Sequence, residues 1–343
     1  MGVARLRGMI KWKNRARLLV VAVLILAFGV GSWFFYQSTL LSGQADGLFK
    51  SGREAEALVL YQRAQALFPL RRDLSDDIAG TKLVIQSSHD YGRIADFFEE
   101  YQEVPPLSSL PAIQLAPNEL YVPVLMYHHI RVNPMPRNPV WAALNVSAEQ
   151  LDQQFAYLSS HNYHTITLDE LRDALDGKIS LPENPIVLTF DDGYRNFYDS
   201  AFPLLKKYNF KATQFVITAV AGTSAYLTWE QISIMDKSGL VTFGAHTRNH
   251  PNLPDISQAR IVDEIRGSKA DLEQHLGKTT YWFAYPYGSY SASIMQTVQD
   301  AGFRGAASTV YGAVQRRNNM FLFPRIMVDG RFSLDNLTKR ISR

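Results

Sequence analysis

Residues 187–196 read VLTFDDGYRN and set two carboxylates, Asp191 and Asp192, side by side between an apolar run and a glycine. Adjacent ionised carboxylates repel, so the pair costs stability unless a bound cation, or a proton shared with a substrate, offsets it. A second stretch, HTRNH at 246–250, places His246 and His250 four positions apart. On a helical turn that spacing points both imidazoles the same way, and with a carboxylate it makes a metal-ligand set. It is not a zincin motif, because Thr247 stands where that motif has glutamate. Two further stretches bring polar groups, MYHHI at 126–130 with His128 and His129, and YPYG at 285–288 with Tyr287 and Gly288.

These groups need a scaffold, and the flanking residues supply one. Short β-rich runs occur at 122–127, 164–167, 185–190, 212–217, 240–245, 281–285 and 305–309. Amphipathic helical runs lie between them near 147–160, 168–176, 198–208, 228–238, 257–276 and 291–301. Several strands are unbroken apolar runs, as expected when both faces are buried. Alternating units of this kind predict an α/β fold with a parallel sheet, here closed into a distorted (β/α) barrel. Such barrels carry their sites at the C-terminal ends of the strands. His128, Asp191, Asp192, His246 and Tyr287 each follow a predicted strand, so one rim collects them all.

TFDDG at 189–193, HTRNH at 246–250 and YPYG at 285–288, in that order on βα repeats, resemble the polysaccharide deacetylase family, whose shared part is the NodB homology domain. The likeness covers roughly residues 120 to 330. It implies that Asp192, His246 and His250 bind a divalent metal, zinc first, with cobalt or nickel as alternatives. It also implies that Asp191 is the catalytic base and that the backbone N–H of Tyr287 helps to hold the oxyanion. The chemistry agrees with this. Amide hydrolysis at neutral pH needs a strong nucleophile, and a metal lowers the pKa of a water from about 16 to about 7. A neighbouring carboxylate then takes the proton.

Two departures from the family pattern stand out. Ala284 occupies the position of an arginine that orients the base, and no histidine follows His275 to act as general acid. The run VPVLMYHHI at 122–130 resembles the poly-N-acetylglucosamine deacetylase subgroup, in which the barrel motifs are circularly permuted. By that resemblance His128 is the general acid, with His129 as the second candidate. Arg325, in FPRIMVDG at 323–330, is a candidate to reach the base in place of the missing arginine. Trp229 reads as a helix-start packing residue. Trp141 and Tyr194 read either as sugar-stacking or as packing rings. His161, His164 and His275 read as surface or helix residues.

The remainder of the chain bears on location. Its 343 residues are 46% hydrophobic and 20% charged, which excludes disorder over most of the length. Of 35 basic residues, six (Arg5, Arg7, Lys11, Lys13, Arg15, Arg17) precede the first apolar run. The other 29 face 32 acids, so the body is no basic nucleic-acid binder. With no cysteine, thiolate catalysis and disulfides are excluded. Leu18 to Tyr36 form 19 uncharged residues, about the length that spans a bilayer. The expected organisation is a cytoplasmic basic tail (1–17), a transmembrane anchor (18–36), a helical segment resembling a single tetratricopeptide repeat (40–103), a Pro-rich linker (104–118) and the deacetylase domain (119–343). A cleaved signal peptide is the rival to the anchor, and a plain helical stalk the rival to the repeat.

The expected activity is metal-dependent removal of N-acetyl groups, at carbon–nitrogen bonds of linear amides, from a carbohydrate polymer outside the cytoplasmic membrane. Poly-N-acetylglucosamine exopolysaccharide leads among substrates. Peptidoglycan, chitin oligomers and O-acetylated glycans stay open. A protein partner is expected at residues 44–101, and nucleic acid is not. The alternative is a catalytically weak glycan-binding scaffold, for which Ala284 and the absent C-terminal histidine speak.

Overall fold

The computed structural model describes residues 36–45, 54–67, 115, 119–134 and 139–342. The expected basic tail and all but the last residue of the expected membrane span lie outside them. So do the linker, apart from residue 115, and the helical segment beyond Leu67. Among the described residues no helix is long and apolar enough to cross a membrane.

The N-terminal helices and the β-rich part are separate units. In the first, residues 36–45 and Glu54–Leu67 are helical. Ser38 Oγ donates to the Ala64 carbonyl at 2.8 Å. Ser38, Ala45 and Ala64 are all buried, so small side chains let the two helices approach closely. Tyr61 on the second helix is buried as well.

The second unit contains twelve strands among the described residues: β1 (Glu119–Tyr121), β2 (Val124–Tyr127), β3 (His129–Ile130), β4 (Asn145–Val146), β5 (His164–Thr165), β6 (Pro185–Phe190), β7 (Ala212–Val216), β8 (Val241–Ala245), β9 (Trp282–Ala284), β10 (Gly305–Tyr311), β11 (Val314–Arg316) and β12 (Phe323–Met327). The order β2-β12-β10-β9-β8-β7-β6 is parallel throughout, and β6 pairs back onto β2. That closes a seven-membered ring, with β5 added against β6. The expected barrel is therefore observed.

The alternation of side chains along each strand explains what the ring contains. On β6, Ile186, Leu188 and Phe190 face the helices, and Val187 joins the cluster of Val124, Phe215, Trp282, Ala284, Ala307 and Phe323 inside the ring. Period two puts Thr189 and then Asp191 on that same inner side. Gly244 of β8 is required there, because a Cβ would lie 2.5 Å from the Phe215 ring and 2.9 Å from the Trp282 carbonyl oxygen.

The outer helices run close to their expected bounds. Ser147, Thr167 and Thr228 cap three of them in capping boxes with Gln150, Glu170 and Gln231. Two expectations need correction. The helix expected at 198–208 begins as a π-helical turn, Phe197–Ala201, and becomes α-helical only at Phe202–Tyr208. Pro203 lacks the N–H that a regular turn would use, and the wider turn accommodates it. Strand β12 was not expected at all, because Pro324 and Arg325 break its apolar run.

Candidate active site

The C-terminal rim of the ring gathers the groups that follow β2, β6, β8 and β9. Asp191 leaves β6 on the inner side, and Asp192 (φ 75°) and Gly193 (φ 80°) then turn the chain sharply. This double left-handed step separates the two carboxylates. Asp191 faces the lumen, where Arg325 of β12 meets it with Nη1–Oδ1 and Nη2–Oδ2 both at 2.8 Å. Arg325 is fully buried. Its Nε donates to the Ser308 carbonyl at 2.8 Å and its Nη1 also donates to Thr189 Oγ1 at 3.1 Å. Burial alone would raise the Asp191 pKa, but the Arg325 charge and hydrogen bonds outweigh it and hold the carboxyl below its ordinary range. Arg325 thus reaches the carboxylate that the missing arginine was expected to orient.

Asp192 faces the other way, toward the two histidines. His246 Nε2 lies 3.4 Å and His250 Nε2 3.5 Å from Asp192 Oδ1, and the two Nε2 atoms are 3.2 Å apart. His246 Nδ1 donates to the Ala284 carbonyl at 2.8 Å, which fixes the tautomer and turns the Nε2 lone pair into the site. Asp192 Oδ1 is buried and has no hydrogen-bond partner. One ligand atom from each residue lies within 4.8 Å of the others. A buried orphan oxygen facing two imidazole nitrogens fits a divalent cation of the zinc type. Burial opposes ionisation of Asp192, yet contacts with His246 and His250 drive its pKa far below the ordinary value. Burial and the neighbouring His246 push His250 down to about 4.

The HTRNH segment is not helical, contrary to expectation. Thr247 (φ 62°) and His250 (φ 56°) are left-handed, so the four-residue spacing belongs to a tight turn. A β-branched residue at positive φ is costly, and Thr247 offsets this locally: its Oγ1 accepts from His250 N at 2.9 Å. Tyr287 (φ 58°) follows β9, and its ring stands edge-on to His250 with centroids 4.5 Å apart. Gly288 behind it has φ 68°, and a Cβ there would collide with Thr309 Oγ1 at 1.9 Å.

His128 follows β2 at the rim, within the electrostatic reach of Asp192, Asp191, Arg325 and His246. Burial lowers its pKa, and the two carboxylates pull the other way. His129 is directed elsewhere. Its ring lies between Tyr194 (centroids 3.5 Å) and Trp141 (5.7 Å), and Asn196 Nδ2 contacts its Nδ1 at 3.0 Å. Trp141 and Tyr194 therefore spend a face on His129. Trp229 stacks on His275 at 3.8 Å, in keeping with a packing role. His161, His164 and His275 are exposed and bound to local carbonyls.

Comparison with known proteins agrees with this geometry. The family model described as polysaccharide deacetylase matches residues 178–306. A poly-beta-1,6-N-acetyl-D-glucosamine N-deacetylase of Staphylococcus aureus (strain MSSA476) is 30% identical over 210 residues, 57% of this chain and 71% of that protein. Among solved structures, the Streptococcus pyogenes deacetylase PplD in complex with acetate is 31% identical, with TM-score 0.60, over 65% of this chain and 99% of that one. IcaB from Ammonifex degensii is 28% identical, with TM-score 0.56, over 64% and 96%. The chain belongs to the polysaccharide deacetylase family.

Proposed function

We propose that this protein removes N-acetyl groups from a poly-N-acetylglucosamine polymer outside the cytoplasmic membrane, with a divalent metal, zinc first, held by Asp192, His246 and His250. The observation that carries the reading is the division of labour between adjacent aspartates. Asp191 is gripped by Arg325, and Asp192 keeps a bare oxygen toward two histidines. The polymer is proposed from the S. aureus relative, whose name specifies that substrate.

A metal bound there supplies a Lewis acid and a water of lowered pKa. Asp191 accepts the proton from the attacking water, and the Arg325 fork keeps its carboxylate ionised and oriented. The Tyr287 backbone N–H donates to the oxyanion. His128 returns a proton to the leaving amine, which completes the hydrolysis to acetate and a free amino sugar. Leu18–Tyr36 anchors the chain in the membrane, and residues 44–101 offer a surface to a protein partner. The two departures that spoke for a non-catalytic scaffold lose their force, because Arg325 and His128 supply the functions in question.

The test is acetate release from β-1,6-linked N-acetylglucosamine oligomers by the full chain in detergent. Release should stop with chelator, return with zinc and be absent in Asp191→Asn. Stoichiometric zinc with no release from any oligomer would sink the enzymatic reading. Protease access to the barrel in intact cells lacking an outer membrane tests its placement.

A further inference from the structure

The turn that carries His250 is held by a residue outside the motif. Glu264, on the helix Gln258–Leu276, is buried. Its Oε2 accepts from two successive backbone N–H groups, Arg248 N at 2.9 Å and Asn249 N at 2.8 Å. Its Oε1 accepts from Asn249 Nδ2 at 2.9 Å. The turn's carbonyls are taken by the segment after β7: Thr218 N donates to Thr247 O at 3.2 Å and Ala219 N to Arg248 O at 2.9 Å. Four backbone groups of this strained turn (Arg248 N, Asn249 N, Thr247 O and Arg248 O) are thus satisfied by groups distant in sequence, and His250 N is satisfied locally by Thr247 Oγ1. One turn along the same helix, Gly267 leaves room for the Arg248 guanidinium, which a Cβ would meet at 2.4 Å from Nε. That guanidinium binds Asp271 at 2.9 and 3.0 Å.

We infer that Glu264 is a positioning residue for the metal centre: it clamps the 247–250 turn in its left-handed form and so sets the distance and angle of His250 Nε2 to Asp192 and His246. The inference rests on the metal reading of the site given above. Two adjacent N–H donors converging on one carboxylate oxygen suit an anion and suit an amide poorly. Glutamine offers the two backbone N–H groups a neutral acceptor oxygen in place of an ionised one, and charge-assisted hydrogen bonds are the stronger.

The test measures zinc dissociation constants of the full chain by competition with a chromophoric chelator, alongside the visible spectrum of the cobalt-loaded protein. Glu264→Gln should bind zinc about 10- to 100-fold more weakly, the usual effect of losing an outer partner of a ligand, and should alter the cobalt spectrum. Asn249→Asp, an exposed change that sets a second carboxylate against Glu264, should weaken binding in the same direction and keeps the test valid if Glu264→Gln fails to fold. Arg260→Ala, which removes only a 3.8 Å contact to Glu264, should bind like the parent. Loss of general stability alone would lower the melting temperature in chelator and leave the affinity and spectrum of the folded protein unchanged. Parent-like affinity and spectrum in Glu264→Gln, or in Asn249→Asp if the former does not fold, overturn the inference. A parent chain that binds no zinc overturns the metal reading together with it.

Discussion

Arg325 and Asp191 lie 134 positions apart in sequence and meet through two hydrogen bonds of 2.8 Å inside the barrel. Neither side chain reaches solvent to any extent, with exposures of 0% and 3%. A pair this dry is costly to break from one side, since the remaining charge has neither water nor counter-ion.

Arg325→Met should therefore destabilise the protein by about 3–5 kcal/mol, read from chemical denaturation. Adding Asp191→Asn removes the stranded charge and should recover much of that loss without recovering turnover. A double variant no more stable than Arg325→Met would show that packing, and not charge, sets the cost.

Metal binding and proton abstraction should separate cleanly between the neighbouring aspartates. Asp191→Asn should retain zinc and lose acetate release. His246→Ala or Asp192→Ala should lose zinc as well, measured by metal analysis after dialysis. Full activity in Asp191→Asn would remove the base assignment.

The two adjacent histidines should respond differently. His128→Ala should slow amide substrates by about 10²–10⁴-fold, the range of general acid–base catalysis, and slow an activated aryl acetate much less, because that leaving group needs no proton. His129→Ala removes a ring packed between Tyr194 and Trp141 and should lower the melting temperature first. Equal losses on both substrates in His128→Ala would place the general acid elsewhere.

Asp271 gives a pH-dependent stability term. Burial works to raise its pKa, but hydrogen bonds from Arg248 and Thr218 prevail and depress it. A depressed carboxylate contributes stability above its unfolded value, about 3.9, and loses it as pH falls through the folded pKa. Asp271→Asn should thus be less stable than the parent at pH 7, and the gap should narrow below about pH 4. A gap in denaturation midpoint that stays constant from pH 7 to pH 3 would show that the ionised form is not responsible.

Much of the site was legible because β2 and β6 are largely apolar runs, and the ends of β2, β6 and β8 are marked by His128, Asp191 and His246, so position along the strand implies position at the rim. The turn at 246–250 was misread as helical because spacing is a local signal, whereas the left-handed Thr247 and His250 are held by Glu264, Thr218 and Ala219. β12 was missed for a related reason. A proline and an arginine in five residues look like a loop until the lumen, and the carboxylate inside it, are known. Arg325 could be named as a candidate to reach the base, but the strand that carries it there could not be read from the sequence.

The ring closes where β2 pairs with both β6 and β12. These three neighbouring strands lead to His128 and Asp191 and carry Arg325, so the seam of the barrel is also the seam of the proposed chemistry. Contacts between such distant segments form slowly, and this one cannot form in a growing polypeptide before residue 327 has left the ribosome. Closure of the ring, and with it the proposed chemistry, is thereby tied to synthesis of the chain up to Met327 and, for an exported chain, to passage of that stretch across the membrane. In refolding experiments acetate release should return after helical signal has recovered, and a half-made chain should be harmless to acetylated molecules it meets on the way.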